Sequence, residues 1–299
     1  MKYYSVFEPL KDTAVAFGCF DGMHKGHLAV LQELVKLSGE KHLTPVLLTF
    51  EKDGPVLTTE EEKALFAEQA GVHTMITLPK TPADVASFLN DELIGRLGAK
   101  ALVIGEGETV AGFDAAALKA EAEAKGLTVR VVPEVRHNGI YISTDLLNEA
   151  FEQCDFEKYT ALCGHPYVML GKVEHGKALG RTVGMPTANL GVGPQKRKPK
   201  DGVYATITKL PDDKFMGLTN IGKRPSVDDE ERVTIETNIF DFARNIYGVP
   251  TCLEVHFHIR GVVKFNSLKE VQEQVQRDTQ NSRDKLATIF DETEIEPAG

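Results

Sequence analysis

The period of the hydrophobic pattern changes once along this chain, near residue 150, and that change limits the possible folds more than any other feature. Before it, short apolar runs alternate with helical patterns. Residues 13–20, 44–50, 73–78, 100–105 and 127–135 read as strands, and residues 27–38, 59–70, 84–97 and 114–125 as helices. Strands alternating with helices of this length predict a parallel sheet with helices on both faces. After the change, residues 168–264 hold many short β-rich runs divided by Gly, Pro, Asn and Asp, among them 167–173, 202–208, 233–240 and 252–259. That spacing predicts an antiparallel barrel or sandwich. A final helix opens at Ser267 with Glu270 in a capping-box pattern, carrying Leu268, Val271, Val275 and Leu286 on a partial apolar stripe. The fold class is therefore α/β plus β. The expected domains are 1–150 and 160–299, with the boundary inside 148–165.

Composition agrees and excludes some roles. A chain of 299 residues has length for two domains of the usual size, roughly 100–200 residues each. The formal net charge of -10 argues against binding nucleic acid or anionic membrane through bulk charge. No run is long and apolar enough to span a bilayer, and MKYYSVFEPLKD lacks the apolar core of a signal peptide, so a cytoplasmic location is expected. The four cysteines, Cys19, Cys154, Cys163 and Cys252, form no CxxC pair and are expected to be free, buried thiols.

Between the first strand and the first helix lies Gly18-Cys19-Phe20-Asp21-Gly22-Met23-His24-Lys25-Gly26-His27. That position is the usual ligand crevice of a parallel α/β sheet. Its glycines permit close approach of a phosphate, and the following helix N-terminus favours negative charge. His24 and His27 flank a glycine, where they can donate hydrogen bonds to a triphosphate and stabilise departing pyrophosphate. The GxFDGxHxGH pattern resembles the nucleotidyltransferase superfamily, and within it the adenylyltransferase half of bacterial FAD synthetases. The resemblance implies a Rossmann-like nucleotidyltransferase domain binding nucleotide through Gly18, Phe20, Asp21, Gly22, His24, Gly26, His27, Ser143 and Thr144.

Three later motifs of that family are altered. TFxPHP stands here as Thr49-Phe50-Glu51-Lys52-Asp53-Gly54-Pro55, without the histidine. GxDFxFG is replaced by Gly105-Glu106-Gly107-Glu108-Thr109. SSTxxR survives as Ser143-Thr144, with Leu147 where the arginine is expected. A leucine cannot replace a guanidinium fork at a phosphate. Adenylylation of FMN to FAD is thus expected to be weak or absent, and Leu147→Arg is expected to raise it.

The second half carries residues 171–190, GKVEHGKALGRTVGMPTANL. Glycines recur where a loop must fold around an anion. Thr187 and Asn189 place two oxygen ligands on the same side of an extended chain, a donor type suited to Mg²⁺. The Pro-Thr-Ala-Asn run resembles the riboflavin kinase family, as do Asn220–Ser226, Glu236–Phe242, Asn245–Gly248, Ile259-Arg260 and Lys264-Phe265. The resemblance implies an antiparallel β-barrel kinase domain. In it Gly176, Gly180, Arg181, Thr187 and Asn189 hold ATP, Thr187 and Asn189 hold Mg²⁺, and Glu236 accepts the proton of the ribityl hydroxyl. The run Lys196–Lys200 reads as a solvated loop. No Walker A motif is present.

These readings converge on ATP- and Mg²⁺-dependent phosphorylation of riboflavin to FMN by the second domain. The expected partners are riboflavin, FMN and ATP, with no nucleic acid and no membrane. A complete bifunctional FAD synthetase and a non-catalytic flavin-sensing regulator are the alternatives.

Overall fold

The computed structural model describes residues 2–4, 9–110, 112–175, 187–224 and 232–290. The chain divides into two compact units, 1–144 and 145–299.

The first unit is built on a six-stranded sheet. Its strands are β1 (Lys2–Tyr4), β2 (Thr13–Gly18), β3 (Thr44–Phe50), β4 (Thr74–Leu78), β5 (Ala99–Gly105) and β8 (Thr128–Val132), in the order β1-β4-β3-β2-β5-β8, and neighbouring strands run parallel. Two small hairpins complete the strands: β6 (Thr109–Val110) with β7 (Phe113–Asp114), and β9 (Arg136–His137) with β10 (Ile140–Tyr141). β2 is buried along its whole length, which is why its residues 13–18 read as a continuous small-apolar run rather than alternating. The strand predicted to reach residue 20 stops at Gly18, and Phe20 has a φ of 49° in the turn beyond it.

Helices cross between the strands: α1 (Lys25–Lys41), α2 (Glu60–Gln69), α3 (Val85–Ser87) and α4 (Ala115–Ala124). α1 buries Val30, Leu31, Leu34 and Leu37 on one face. α2 opens on a complete capping box between Thr59 and Glu62. The helix predicted over 84–97 is mostly of the wider π type: α3 is one short turn, and Phe88–Arg96 continues with bonds such as Leu97 N–H to Glu92 O at 2.9 Å.

Because the chain moves outward from β2 through β3 to β4 and then returns to β5 on β2's other side, the strand order reverses between β2 and β5. Loops leaving adjacent strand ends diverge at such a switch point and leave a crevice.

The second unit begins with α5 (Thr144–Glu152) and α6 (Phe156–Cys163). Residues 145–150 fall in this unit; α5 buries Leu147, Ala150 and Phe151, and Phe151 packs against Phe156 and Tyr167. Six antiparallel strands follow: β11 (Tyr167–Glu174), β12 (Ala188–Val192), β13 (Gly202–Lys209), β14 (Lys214–Arg224), β15 (Arg232–Ile239) and β16 (Pro250–Gly261). They close into a barrel in the order β11-β12-β15-β14-β13-β16. α7 (Leu268–Ala287) covers the outside of the barrel, with Leu286 packed on Ala205 and Ile207 and Ser282 Oγ donating to Gly217 O at 3.1 Å. The Ser267 cap forms as expected, but the Glu270 carboxylate accepts from Asn266 N–H at 3.0 Å, one residue upstream of the usual reciprocal bond.

Candidate functional sites

The crevice at the switch point is a cavity of about 180 Å³. Phe20, His24, Gly26, His27, Ser143 and Thr144 line it together with Glu106, Gly107, Glu108 and Tyr141. His24 is the N-cap of α1: its Nδ1 accepts from His27 N–H at 3.2 Å. With Nδ1 occupied as acceptor, Nε2 is the ring nitrogen that bears a proton. The two imidazoles stack with centroids 3.7 Å apart and planes 13° from parallel. Gly26 gives the rings room, since a Cβ there would lie 3.0 Å from the His24 ring. Burial, then the neighbouring His24 and Lys63, hold His27 well below the ordinary imidazole range, so it is neutral at pH 7.

Gly18, Asp21 and Gly22 do not line the cavity among the described residues; they shape the loop around it. Asp21 is 3% exposed, and its carboxylate accepts from Thr58 N–H and Lys52 Nζ, both at 3.0 Å. Gly22 N–H donates to Thr58 Oγ at 2.9 Å, and Thr144 Oγ donates to Asp21 O at 3.2 Å. Lys52 and Thr58 are the partners that motif reading missed. Glu60 anchors α2 over the sheet, accepting from Thr49 at 3.0 Å and from Thr77 and Lys63 at 2.7 Å. Lys63 is thereby buried next to this site, at 1% exposure. Glu108 is the other unexpected lining residue, and burial pushes its carboxyl up to about 7. Leu147 is fully buried, so the position expected for an arginine is one closed to water.

The second unit has its own cavity, about 420 Å³, at the barrel mouth. This lies within the usual small-molecule range of roughly 300–1,000 Å³. Val173, Ala188, Thr237 and Ile239 come from strands, Thr187 from the segment before β12, and Phe242, Arg244, Asn245 and Tyr247 from the turn beyond β15. The Thr237 hydroxyl belongs to a row inside the barrel, 2.8 Å from Thr219 Oγ, which is 2.8 Å from Thr206 Oγ. Tyr247 stacks on His175 at 3.8 Å, and Arg244 lies over Phe242 at 5.2 Å and pairs with Asp212.

Asn189 and Glu236 do not line this cavity among the described residues. They stand directly opposite each other on β12 and β15, on the sheet face away from Thr237. The same cross-strand row places Glu174 beside Asn189 and Asn220 beside Glu236. Glu236 Oε1 is buried. Amide, hydroxyl and carboxylate oxygens at Asn189, Thr187, Glu174 and Glu236 are the hard donors that Mg²⁺ takes, so the residues fit that ion. Gly176, Gly180 and Arg181 lie outside the described residues.

The remaining sequence candidates have structural partners. Lys196 is buried over the Tyr167 ring at 4.1 Å, Arg197 donates to Asn148 at 2.6 Å and pairs with Glu152, and Lys200 reaches Glu152 at 3.4 Å. Arg197 and Lys200 thus tie the loop to α5, Lys196 is buried against β11, and Lys200 stays largely solvated. Arg260 donates to Asp278 on α7 at 2.8 Å. All four cysteines are free, as expected, but only Cys163 is fully buried and Cys19 is exposed. No helix among the described residues is long and apolar enough to cross a membrane.

Comparison with known proteins gives a consistent result. The riboflavin kinase family model matches residues 163–286, and the FAD synthetase model matches residues 7–146. A bifunctional riboflavin kinase/FMN adenylyltransferase of Haemophilus influenzae is 32% identical, over 92% of this chain and 94% of its own length. The protein of the same description from Bacillus subtilis is 29% identical, over 94% of each. A crystal structure described as a macrolide-efflux protein from Streptococcus pneumoniae matches with a TM-score of 0.79 at 27% identity, covering 94% of this chain and 98% of that one.

Proposed function

Because this chain belongs to the bifunctional riboflavin kinase/FMN adenylyltransferase family, we propose that its barrel unit phosphorylates riboflavin with ATP and Mg²⁺. The observation that carries this reading is the register of Asn189 directly against Glu236. The same unit holds a separate cavity walled by Phe242 and Tyr247. Flat aromatic walls suit the planar flavin ring. Glu236 accepts the proton of the terminal ribityl hydroxyl as that oxygen attacks the γ-phosphate and the bond to the β,γ-bridging oxygen breaks, releasing ADP. Thr187 and Asn189 hold Mg²⁺, which supplies charge neutralisation on the transferring phosphoryl group. Thr187 and Asn189 are both neutral, so the ion would bind mainly as the nucleotide complex. Gly176, Gly180 and Arg181 complete the phosphate site in this reading.

The first unit is assigned the transfer of AMP from ATP to FMN, giving FAD and pyrophosphate, at a rate below that of the kinase. Glu108 in the crevice and the neutral His27 support the lower rate, since both leave the departing pyrophosphate short of positive charge. A fully bifunctional protein is the second reading. It is favoured by the convergence of His24, His27, Ser143 and Thr144 on one crevice. Incubating the protein with riboflavin, ATP and Mg²⁺ and separating FMN from FAD by chromatography decides between them. FMN accumulating ahead of FAD supports the first reading, equal rates support the second, and bound flavin without turnover refutes both.

A further inference from the structure

The same switch point that assembles the histidine pair brings a carboxylate into the crevice. Glu108 follows β5, and its backbone N–H donates to Gly105 O at 3.0 Å, holding the loop as a tight turn. Its side chain reaches back toward β2: a Cβ on Gly18 would lie 3.0 Å from Glu108 Oε2, closer than an ordinary contact. Gly18 also has a φ of 154°. Glu108 thus faces the cavity that His24, Gly26, His27, Ser143 and Thr144 line. Among the described residues no cation forms an ion pair with it.

The groups around it offer little compensation. His24 and His27 come from the N-terminus of α1, and His27 is held neutral. Cys19 and Tyr141 feel the Glu108 charge: burial raises the Cys19 thiol first and Glu108 raises it further, while burial and then Glu134, Glu108 and Glu106 raise the Tyr141 phenol. Asp21 and Lys52 pair with each other, and Lys63 with Glu60. A polyphosphate entering here meets an acidic group with no fixed partner.

We infer that Glu108 sets the nucleotide affinity of this crevice: as an acid it donates a hydrogen bond to a phosphate oxygen, and as a carboxylate it repels the polyphosphate, so nucleotide binding takes up a proton from solvent at this side chain. This rests on reading the crevice as the adenylyl-transfer site. Burial pushes the carboxyl up to about 7, so the group is neutral on the acid side and charged on the alkaline side of the working range. At pH 8 such a group is protonated about one-tenth of the time.

The test uses the full chain and the FAD formed from FMN and ATP, a readout the kinase unit does not make. Between pH 6 and 8.5, Glu108→Gln should match the unmodified protein at pH 6 and exceed it about tenfold at pH 8. Glu108→Asp, which keeps the charge, should retain the alkaline fall. Calorimetry with α,β-methylene-ATP in two buffers of different ionisation enthalpy should show more proton uptake for the unmodified protein near pH 7 than for Glu108→Gln; the kinase site contributes equally to both. Identical pH profiles and proton uptake in the two proteins overturn the role of Glu108 while leaving the crevice reading in place. If neither protein makes FAD at any pH and His27→Ala leaves nucleotide binding unchanged, the crevice reading fails together with it.

Discussion

Asn189 stands directly opposite Glu236 across the β12–β15 ladder. Directly opposed side chains in an antiparallel pair have Cβ atoms about 4.5–5.5 Å apart. Two residues 47 positions apart in the chain thus place an amide beside a carboxylate, the pair to which the proposed kinase reading gives the metal and proton-accepting roles.

Removing the carboxylate charge there tests the assignment most directly. Glu236→Gln keeps the shape and should lower kcat for FMN formation by roughly 10²–10⁴-fold, with the circular dichroism spectrum unchanged. A kcat near that of the unmodified protein would show that Glu236 is not the base.

Asn189→Ala should lower kcat/KM for magnesium–ATP by roughly ten- to a hundredfold, the effect of losing about 1.5–3 kcal/mol of charge-assisted contact. Calorimetric titration of the unmodified protein with Mg²⁺ alone should give no tight binding, and the ion should bind once ATP is present. Tight binding without nucleotide contradicts the proposed donor set.

Leu147→Arg, which motif comparison suggests as a gain of phosphate contact, is opposed by burial. Leu147 is 0% exposed, and a guanidinium forced into that position has no water. We expect a loss of about 3–5 kcal/mol of stability, read as a lower midpoint in urea, instead of faster adenylylation. A variant of unchanged stability that makes more FAD would show the motif argument to be the stronger one.

Glu254 is 1% exposed and lies 2.5 Å from Lys209 Nζ and 3.2 Å from His256 Nε2. Burial pushes its carboxyl up, but His256 and Lys209 together outweigh that and hold it below the ordinary carboxylate range. A depressed folded-state value means that the stabilisation is present above the unfolded carboxylate pKa and is lost as pH falls through the folded one. Glu254→Gln should therefore cost about 3–5 kcal/mol at pH 7 and progressively less in acid, measured by urea unfolding across pH 2–7. A penalty independent of pH would mean that packing and not charge explains it.

The change of hydrophobic period was enough to divide the chain into a parallel α/β part and a β-barrel part, because side-chain alternation reports directly which faces of an element are buried. It placed β3 at its observed limits, residues 44–50. It could not see that residues 88–96 widen into a π-helix or that α5 joins the second unit, since both depend on packing partners distant in sequence.

The sites divide in the same way. The sequence by itself determined which residues form each local motif: His24, Gly26 and His27 lie within four positions, and one turn of chain is enough to cap the helix with one imidazole and stack the other on it. Thr187 and Asn189, two positions apart, are expected to act together, but among the described residues Thr187 lines the barrel cavity and Asn189 does not. Only the tertiary structure decided which distant residues meet them. Strand register brings Glu174 and Glu236 to Asn189, and the reversal of strand order between β2 and β5 delivers Glu108 to the histidine crevice. Burial then decided what those groups can do, turning Leu147 into core, Asp21 into a clamp between loops, and Glu108 into a carboxyl that titrates near neutrality. Charge and hydrogen-bonding capacity are written in a residue type, but the dielectric around it and the partner across from it are properties of the folded chain.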